Sequence, residues 1–194
     1  MRFLRENSKL VTRLLVNQLG MTIFGFVLIT AVMTASKNNP TLQVFVSLFA
    51  IVFYLSLIYN VMWEEGSRNA IRIEHGRMER VCAFPLRAAA LANIPNFFLA
   101  FLLIVFYLFG YVGGFAWAQA GYGIVHVILG MVEAMYVGLF GILLGFVSDL
   151  SMRYLLACGL YVASSLLMIL VSMGAYELGM RDIHIFGKKN RKNS

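Results

Sequence analysis

Residues 123–147 read GIVHVILGMVEAMYVGLFGILLGFV, and the placement of this run decides the fold. It holds one formal charge, Glu133, and no proline. At 1.5 Å rise per residue its length covers the roughly 30 Å hydrocarbon core of a bilayer, so it predicts a membrane helix with an acid near its middle. Its glycines also admit a re-entrant segment that does not cross. Non-helical backbone at membrane depth is tolerated only where protein or a water-filled cavity covers it.

The rest of the chain repeats the pattern. Of 194 residues 60% are hydrophobic and only 13% charged, with mean hydropathy +0.79; a soluble domain carries about 25% charged residues. That excludes a soluble enzyme, a disordered chain and a disulfide-stapled secreted module. The charges are crowded together, leaving 14–36, 38–63, 88–132, 134–148 and 154–176 free of Asp, Glu, Lys and Arg. The longest of these runs exceeds one span, and Gly113, Gly114, Gly121 and Gly123 near its middle mark a turn. The prediction is an all-α polytopic integral membrane helix bundle of about five transmembrane helices, in a single membrane domain. The helices fall near 14–36, 41–63, 87–112, 123–147 and 154–178, with a cytoplasmic loop 64–86 and a basic C-terminal tail 179–194. Strand alternation is absent, which argues against a barrel. The run after Arg13 is longer than the 7–15 residues typical of a signal-peptide core, so it reads as the first membrane helix.

Positive side chains resist translocation and mark the cytoplasmic side. Arg2, Arg5, Lys9 and Arg13 precede the first helix, and Arg68, Arg72, Arg77, Arg80 and Arg87 follow the second, with only Lys37 between. The first hairpin therefore starts and ends in the cytoplasm of a cell (inner) membrane protein. Tyr107, Tyr111, Trp117 and Tyr122 suit an outer aromatic belt, and Trp63 an inner anchor. Five full spans put the C-terminus outside, yet its tail holds Arg181, Lys188, Lys189, Arg191 and Lys192. If 123–147 is re-entrant the tail returns inside, and the Lys and Arg totals become 14 inside and 2 outside.

Within the fourth helix Gly130, Ala134, Gly138, Gly141 and Gly145 recur every three or four residues, on one helical face. Small residues so spaced let two membrane helices approach closely, and the helix near 154–178, with Gly159, Ala163, Ser164 and Ser165, is the expected partner. Asp149 and Arg153 are spaced to pair at the connecting turn. A carboxylate at the bilayer centre costs about 2.5–3.5 kcal/mol on insertion scales, so Glu133 is expected to be protonated, paired or facing a wet cavity. His126 precedes it by two turns on nearly the same face. Glu133 and His126 are thus candidate intramembrane functional residues, either a proton or cation relay or a neutral interhelical contact. A separate inner polar layer is expected from Asn17, Gln18, Asn60, Asn93 and Asn96, with Tyr54 and Tyr59 nearby; amides there serve as interhelical glue or line a vestibule.

In the loop, Ile71, His75, Met78 and Cys82 form a semi-apolar face, Gly66 and Gly76 limit any helix, Pro85 starts the third helix and Pro95 is placed to kink it. The loop suits anionic lipid headgroups or a cytoplasmic partner. Its acids weaken any nucleic-acid role, and the net +7 is what topology alone produces. His75, His126 and His184 are scattered, and Cys82 and Cys158 are single, so no zinc, redox or other cofactor motif is read. No phosphate loop or nucleophile elbow occurs. The expectation is a non-catalytic membrane subunit that assembles with a partner, or alternatively a small-solute or proton-coupled transporter using Glu133.

Overall fold

The computed structural model describes residues 2–35, 40–77, 79, 81 and 83–183. Every regular element among them is helical. The first hairpin is α1 (Arg2–Ala35) with α2 (Pro40–Glu74). Then come α3 (Phe84–Ala92) and α4 (Ile94–Tyr107), which runs into a π-helical turn Leu108–Val112. After a turn, α5 (Ala116–Val132), a 3-10 turn Ala134–Tyr136 and α6 (Val137–Gly145) lead to the closing helix α7 (Leu150–Met180). Among the described residues, four helical stretches are long and apolar enough to cross a membrane: Asn7–Thr34, Thr41–Glu74, Ile94–Val112 and Leu150–Met180. Ala116–Val132 and Ala134–Gly145, bent by 87°, make a fifth if they form one span. Large apolar side chains such as Leu19, Ile23, Phe45, Phe49, Phe98 and Phe101 face outward, a surface suited to lipid rather than water. The chain is an all-helical membrane bundle.

Contacts between helix ends group into two poles. At one, Arg13 of α1 pairs with Glu64 of α2 at 2.6 Å, Phe84 packs on Tyr176 of α7, and Trp63 Nε1 donates to the Ile183 carbonyl at 2.9 Å. At the other, Tyr107 lies 3.3 Å from the Ser151 hydroxyl, and Tyr122 OH donates to the Tyr154 carbonyl. Gly138 there packs on Gln43 and Ser47 near the start of α2. The segment α5–α6 thus leaves and regains the same pole, where α7 begins.

Several expectations are corrected. The stretch 64–86 is not a loop throughout, because α2 continues to Glu74. Its 35 residues span about 52 Å at 1.5 Å each, well beyond a bilayer core. Gly66 does not stop it. A Cβ at Gly66 would strike the Tyr176 carbonyl oxygen, and one at Gly179 would strike that of Trp63, so this reciprocal pair lets α2 and α7 pack backbone to backbone. Buried Asn69 adds a 3.2 Å bond to Tyr176 OH. Gly76 does stop α2: its φ of +67° and the Arg77 N to Arg72 carbonyl bond of 2.9 Å form a Schellman ending. Of the proposed loop face, Ile71 and His75 are exposed, while Met78 and Cys82 lie outside the described residues. So do Lys37, Arg80 and most of the basic tail, from His184 onward.

The third helix starts at Phe84 with Pro85 in its first turn and breaks at Asn93, just before Pro95. Proline there removes a donor and crowds the preceding turn, as anticipated. Gly114 turns the chain at φ +75°. Tyr107 and Tyr122 are buried rather than interfacial; with Tyr111 and Tyr154 they form a ring cluster in which Tyr111 and Tyr154 are 4.3 Å apart. Trp117 stays exposed. Asp149 and Arg153 do not pair through their side chains: Asp149 caps α7 by accepting from Ser151 N, and the Arg153 guanidinium donates to the Val147 carbonyl at 2.9 Å.

Candidate functional site

The expected fourth helix is broken, and the break falls at Glu133. The residue leaves helical geometry at φ −104°, ψ 35°, and Tyr136 N turns back to its carbonyl at 2.9 Å. A break at membrane depth strands backbone groups that lipid cannot satisfy. Here neighbouring helices supply the missing partners. Thr22 of α1 donates its hydroxyl to the Val132 carbonyl at 2.6 Å, and Ser47 of α2 accepts from Gly138 N at 2.9 Å. Two glycines let the turn sit there: a Cβ at Gly25 would lie 2.8 Å from Met135 N, and one at Gly138 would overlap the Gln43 carbonyl and the Ser47 hydroxyl. Glu133, Ala134, Met135 and Tyr136 are all buried.

The Glu133 side chain, 2% exposed, is held from α4 and α7. Asn96 Nδ2 donates to Oε1 at 3.2 Å, and the Ser164 hydroxyl bonds to Oε2. Asn96 Oδ1 in turn accepts from Gln18 Nε2 of α1 at 2.7 Å. The acid and the inner amides, expected as two separate sets, therefore form one chain, Gln18 to Asn96 to Glu133 to Ser164, across α1, α4, the break and α7. Asn93 lines the same pocket and donates to Met168 Sδ at 3.0 Å and, at 3.4 Å, to the Ser165 carbonyl. Asn17 is only half-buried, and Asn60 is exposed, so neither belongs to this layer as predicted. Tyr54 also lines the pocket.

His126 does not join the acid through a hydrogen bond among the described residues. Its ring stacks on Tyr122 with centroids 5.7 Å apart and meets the edge of Tyr161 at 5.7 Å. The single small-residue face is likewise corrected, since an 87° bend divides it. Gly138 packs on α2, not α7, and a Cβ added at Gly141 or Gly145 would meet nothing within 4 Å. Gly130, Ala134 and Gly141 instead wall a groove of about 380 Å³ that His126, Phe26 and Tyr161 complete. Gly159 has the same open space around it; close approach to a neighbouring backbone is found instead at Gly25, Gly66, Gly110, Gly138 and Gly179.

In the sequence Ser164 stands out only as a small packing residue, and Thr22, Ser47 and Tyr136 do not stand out at all. A signal existed for one of them: Ser164 and Ser165 are adjacent hydroxyls near the middle of a charge-free span, where a polar group needs a partner. Among the described residues no three His, Cys, Asp or Glu side chains are grouped to hold a metal ion. The arrangement offers one buried carboxyl, several neutral hydrogen-bonding oxygens and a broken helix. Comparisons with protein-family models, curated proteins and solved structures give no match for this chain.

Proposed function

We propose that this chain is a non-catalytic, multi-pass cell (inner) membrane transporter in which Glu133 takes up and releases a proton or cation as a small solute crosses. The observation carrying this reading is the convergence of Asn96 from α4 and Ser164 from α7 on a carboxyl at a helix break, with Gln18 of α1 joined through Asn96. Discontinuous helices meeting near the middle of a bundle are how many transporters build an ion and substrate site. The Ser164 hydroxyl supplies the chemistry. It has one hydrogen and two neighbours, Glu133 Oε2 and, at 2.8 Å, the Tyr161 carbonyl. Facing a carboxylate, it donates to Glu133. Facing a protonated acid, it accepts from Glu133 and donates to Tyr161. The carboxyl changes its proton with a rotation of one hydroxyl and no rearrangement of helices.

The topology that fits is four spans with α5–α6 as a re-entrant hairpin carrying Glu133 at its tip. Its two ends share a pole, and both chain termini then lie on the cytoplasmic side, in accord with 14 Lys and Arg inside and 2 outside. The test uses full-length protein in proteoliposomes on a solid-supported membrane, with currents recorded for a panel of small solutes and for a pH step. Solute-dependent current that Glu133→Gln abolishes is expected; currents equal in both proteins overturn the reading.

A second reading, a membrane subunit that docks a partner, is favoured by one observation: Gly141 and Gly145 face outward into open space. A stoichiometric partner copurifying in mild detergent, lost on Gly141→Leu, supports it.

A further inference from the structure

The pocket around Glu133 has a volume of about 10 Å³, and its wall includes Gln18, Asn96, Tyr136, Ser164 and Ser165. Three buried oxygens there make no hydrogen bond among the described residues: Gln18 Oε1, Tyr136 OH and Ser165 Oγ. Gln18 is 5% exposed, Tyr136 4% and Ser165 2%. Buried polar atoms ordinarily find partners, so three in one wall beside an acid call for an explanation.

Donor and acceptor accounting shows which of the amide oxygens is left without a partner. A carboxylate only accepts, so Asn96 must present Nδ2 to Glu133, as it does at 3.2 Å. That turns Asn96 Oδ1 toward Gln18, which answers with Nε2 at 2.7 Å. The Gln18 oxygen is left over. Hydroxyls of Tyr136 and Ser165 can rotate their hydrogens away and offer lone pairs. The wall of this pocket thus combines one acid with three residues whose oxygens lack hydrogen-bond partners among the described residues.

Such an all-oxygen donor set matches a hard cation. A single carboxylate balances a single positive charge, whereas a divalent ion would leave net charge buried. At about 10 Å³ the pocket lies at the lower edge of the roughly 10–15 Å³ that one water molecule needs, which favours bare sodium, smaller than water, over water-sized potassium and excludes a hydrated ion. Among the described residues, those lining the pocket include no second charged side chain. Among the described residues, the other titratable groups facing Glu133 are phenols: Tyr54 of α2, Tyr136 of the 3-10 turn and Tyr161 of α7.

We propose that this pocket binds one dehydrated sodium ion through Glu133, Gln18 Oε1, Tyr136 OH and Ser165 Oγ, in exchange with a proton on Glu133. This rests on the transport reading above and names its coupling ion. The test follows thermal unfolding of the purified full chain in sodium, lithium, potassium or choline chloride at equal ionic strength. Sodium raises Tm saturably, while potassium and choline do not. The apparent sodium affinity falls about tenfold for each pH unit once protons compete for the carboxyl. Glu133→Gln removes the ion dependence. Tyr136→Phe is the second variant: it deletes an oxygen that makes no hydrogen bond among the described residues, so Tm in choline stays near wild type while sodium affinity drops several-fold.

A Tm indifferent to sodium in wild type, as a water molecule in the pocket would give, overturns the proposal, as does an equal sodium shift in Glu133→Gln. Glu133-dependent current without any sodium effect rejects the sodium site and leaves the transport reading standing. Sodium binding without current does the reverse.

Discussion

Asn96 is the keystone of the polar chain, and replacing it with leucine tests whether that chain holds the bundle together. The substitution removes two interhelical hydrogen bonds, from Gln18 at 2.7 Å and to Glu133 at 3.2 Å. Side-chain bonds between membrane helices are worth about 0.6 kcal/mol on average and up to about 1.7. Losing both should cost about 1–3 kcal/mol, where each 1.4 kcal/mol is about tenfold in the unfolding equilibrium. Gln18→Leu loses only the first bond and should cost about half as much. The double variant should be less destabilised than the sum, with a coupling of about 0.6–1.7 kcal/mol. Asn60→Leu is the control: Asn60 is exposed, and its replacement should stay within about 0.5 kcal/mol. The assay is reversible unfolding in mixed micelles, read by steric trapping. An Asn96→Leu cost no larger than that of Asn60→Leu, or a cycle with no coupling, refutes the network.

Three further predictions concern the break and the topology. Gly138→Ala should destabilise by about 1–3 kcal/mol through collision with Gln43 and Ser47, whereas Gly141→Ala and Gly145→Ala, with open space around them, should be near neutral in thermal-unfolding assays. Thr22→Val keeps the shape but leaves the Val132 carbonyl unpartnered, costing about 1–3 kcal/mol; hydrogen exchange should rise at 133–138 before it rises in α7. In a chain with Cys82 and Cys158 replaced by serine, cysteines at Lys9 and Arg181 should label from one side of the membrane and one at Ser148 from the other. Labelling of Ser148 together with Lys9 would establish α5–α6 as a full crossing.

Much of the fold was legible because lipid punishes charge so heavily. Four long apolar helices, the turn at Gly113 and Gly114, and the proline break before Pro95 all follow from where charges, glycines and prolines stand. The length of α2 was hidden: Glu64, Glu65 and Arg68 look like loop residues, yet they cover the outside of a helix whose other face carries Gly66 and Asn69 toward α7. Glu133 was visible as an anomaly, but its surroundings were not. Periodicity draws 123–147 as one helix, and the bend depends on hydroxyls of Thr22 and Ser47, 110 and 91 positions away along the chain from the groups they serve. The same blindness separated the amides from the acid. Depth counted along isolated helices places Asn96 in an inner layer and Glu133 at mid-membrane, while a helix that turns at its acid brings the two together.

The borrowed hydroxyls at the break also impose an order of events on biogenesis. A hairpin of α5 and α6 released alone into lipid would carry the Val132 carbonyl and the Gly138 amide without partners, a cost of several kcal/mol for each such group in hydrocarbon. Both partners lie in the first hairpin, which leaves the ribosome earlier. The α1–α2 pair is therefore a template that must already be in the membrane when residues 116–145 arrive, and the acid-bearing tip is among the last parts of the bundle to acquire its final shape.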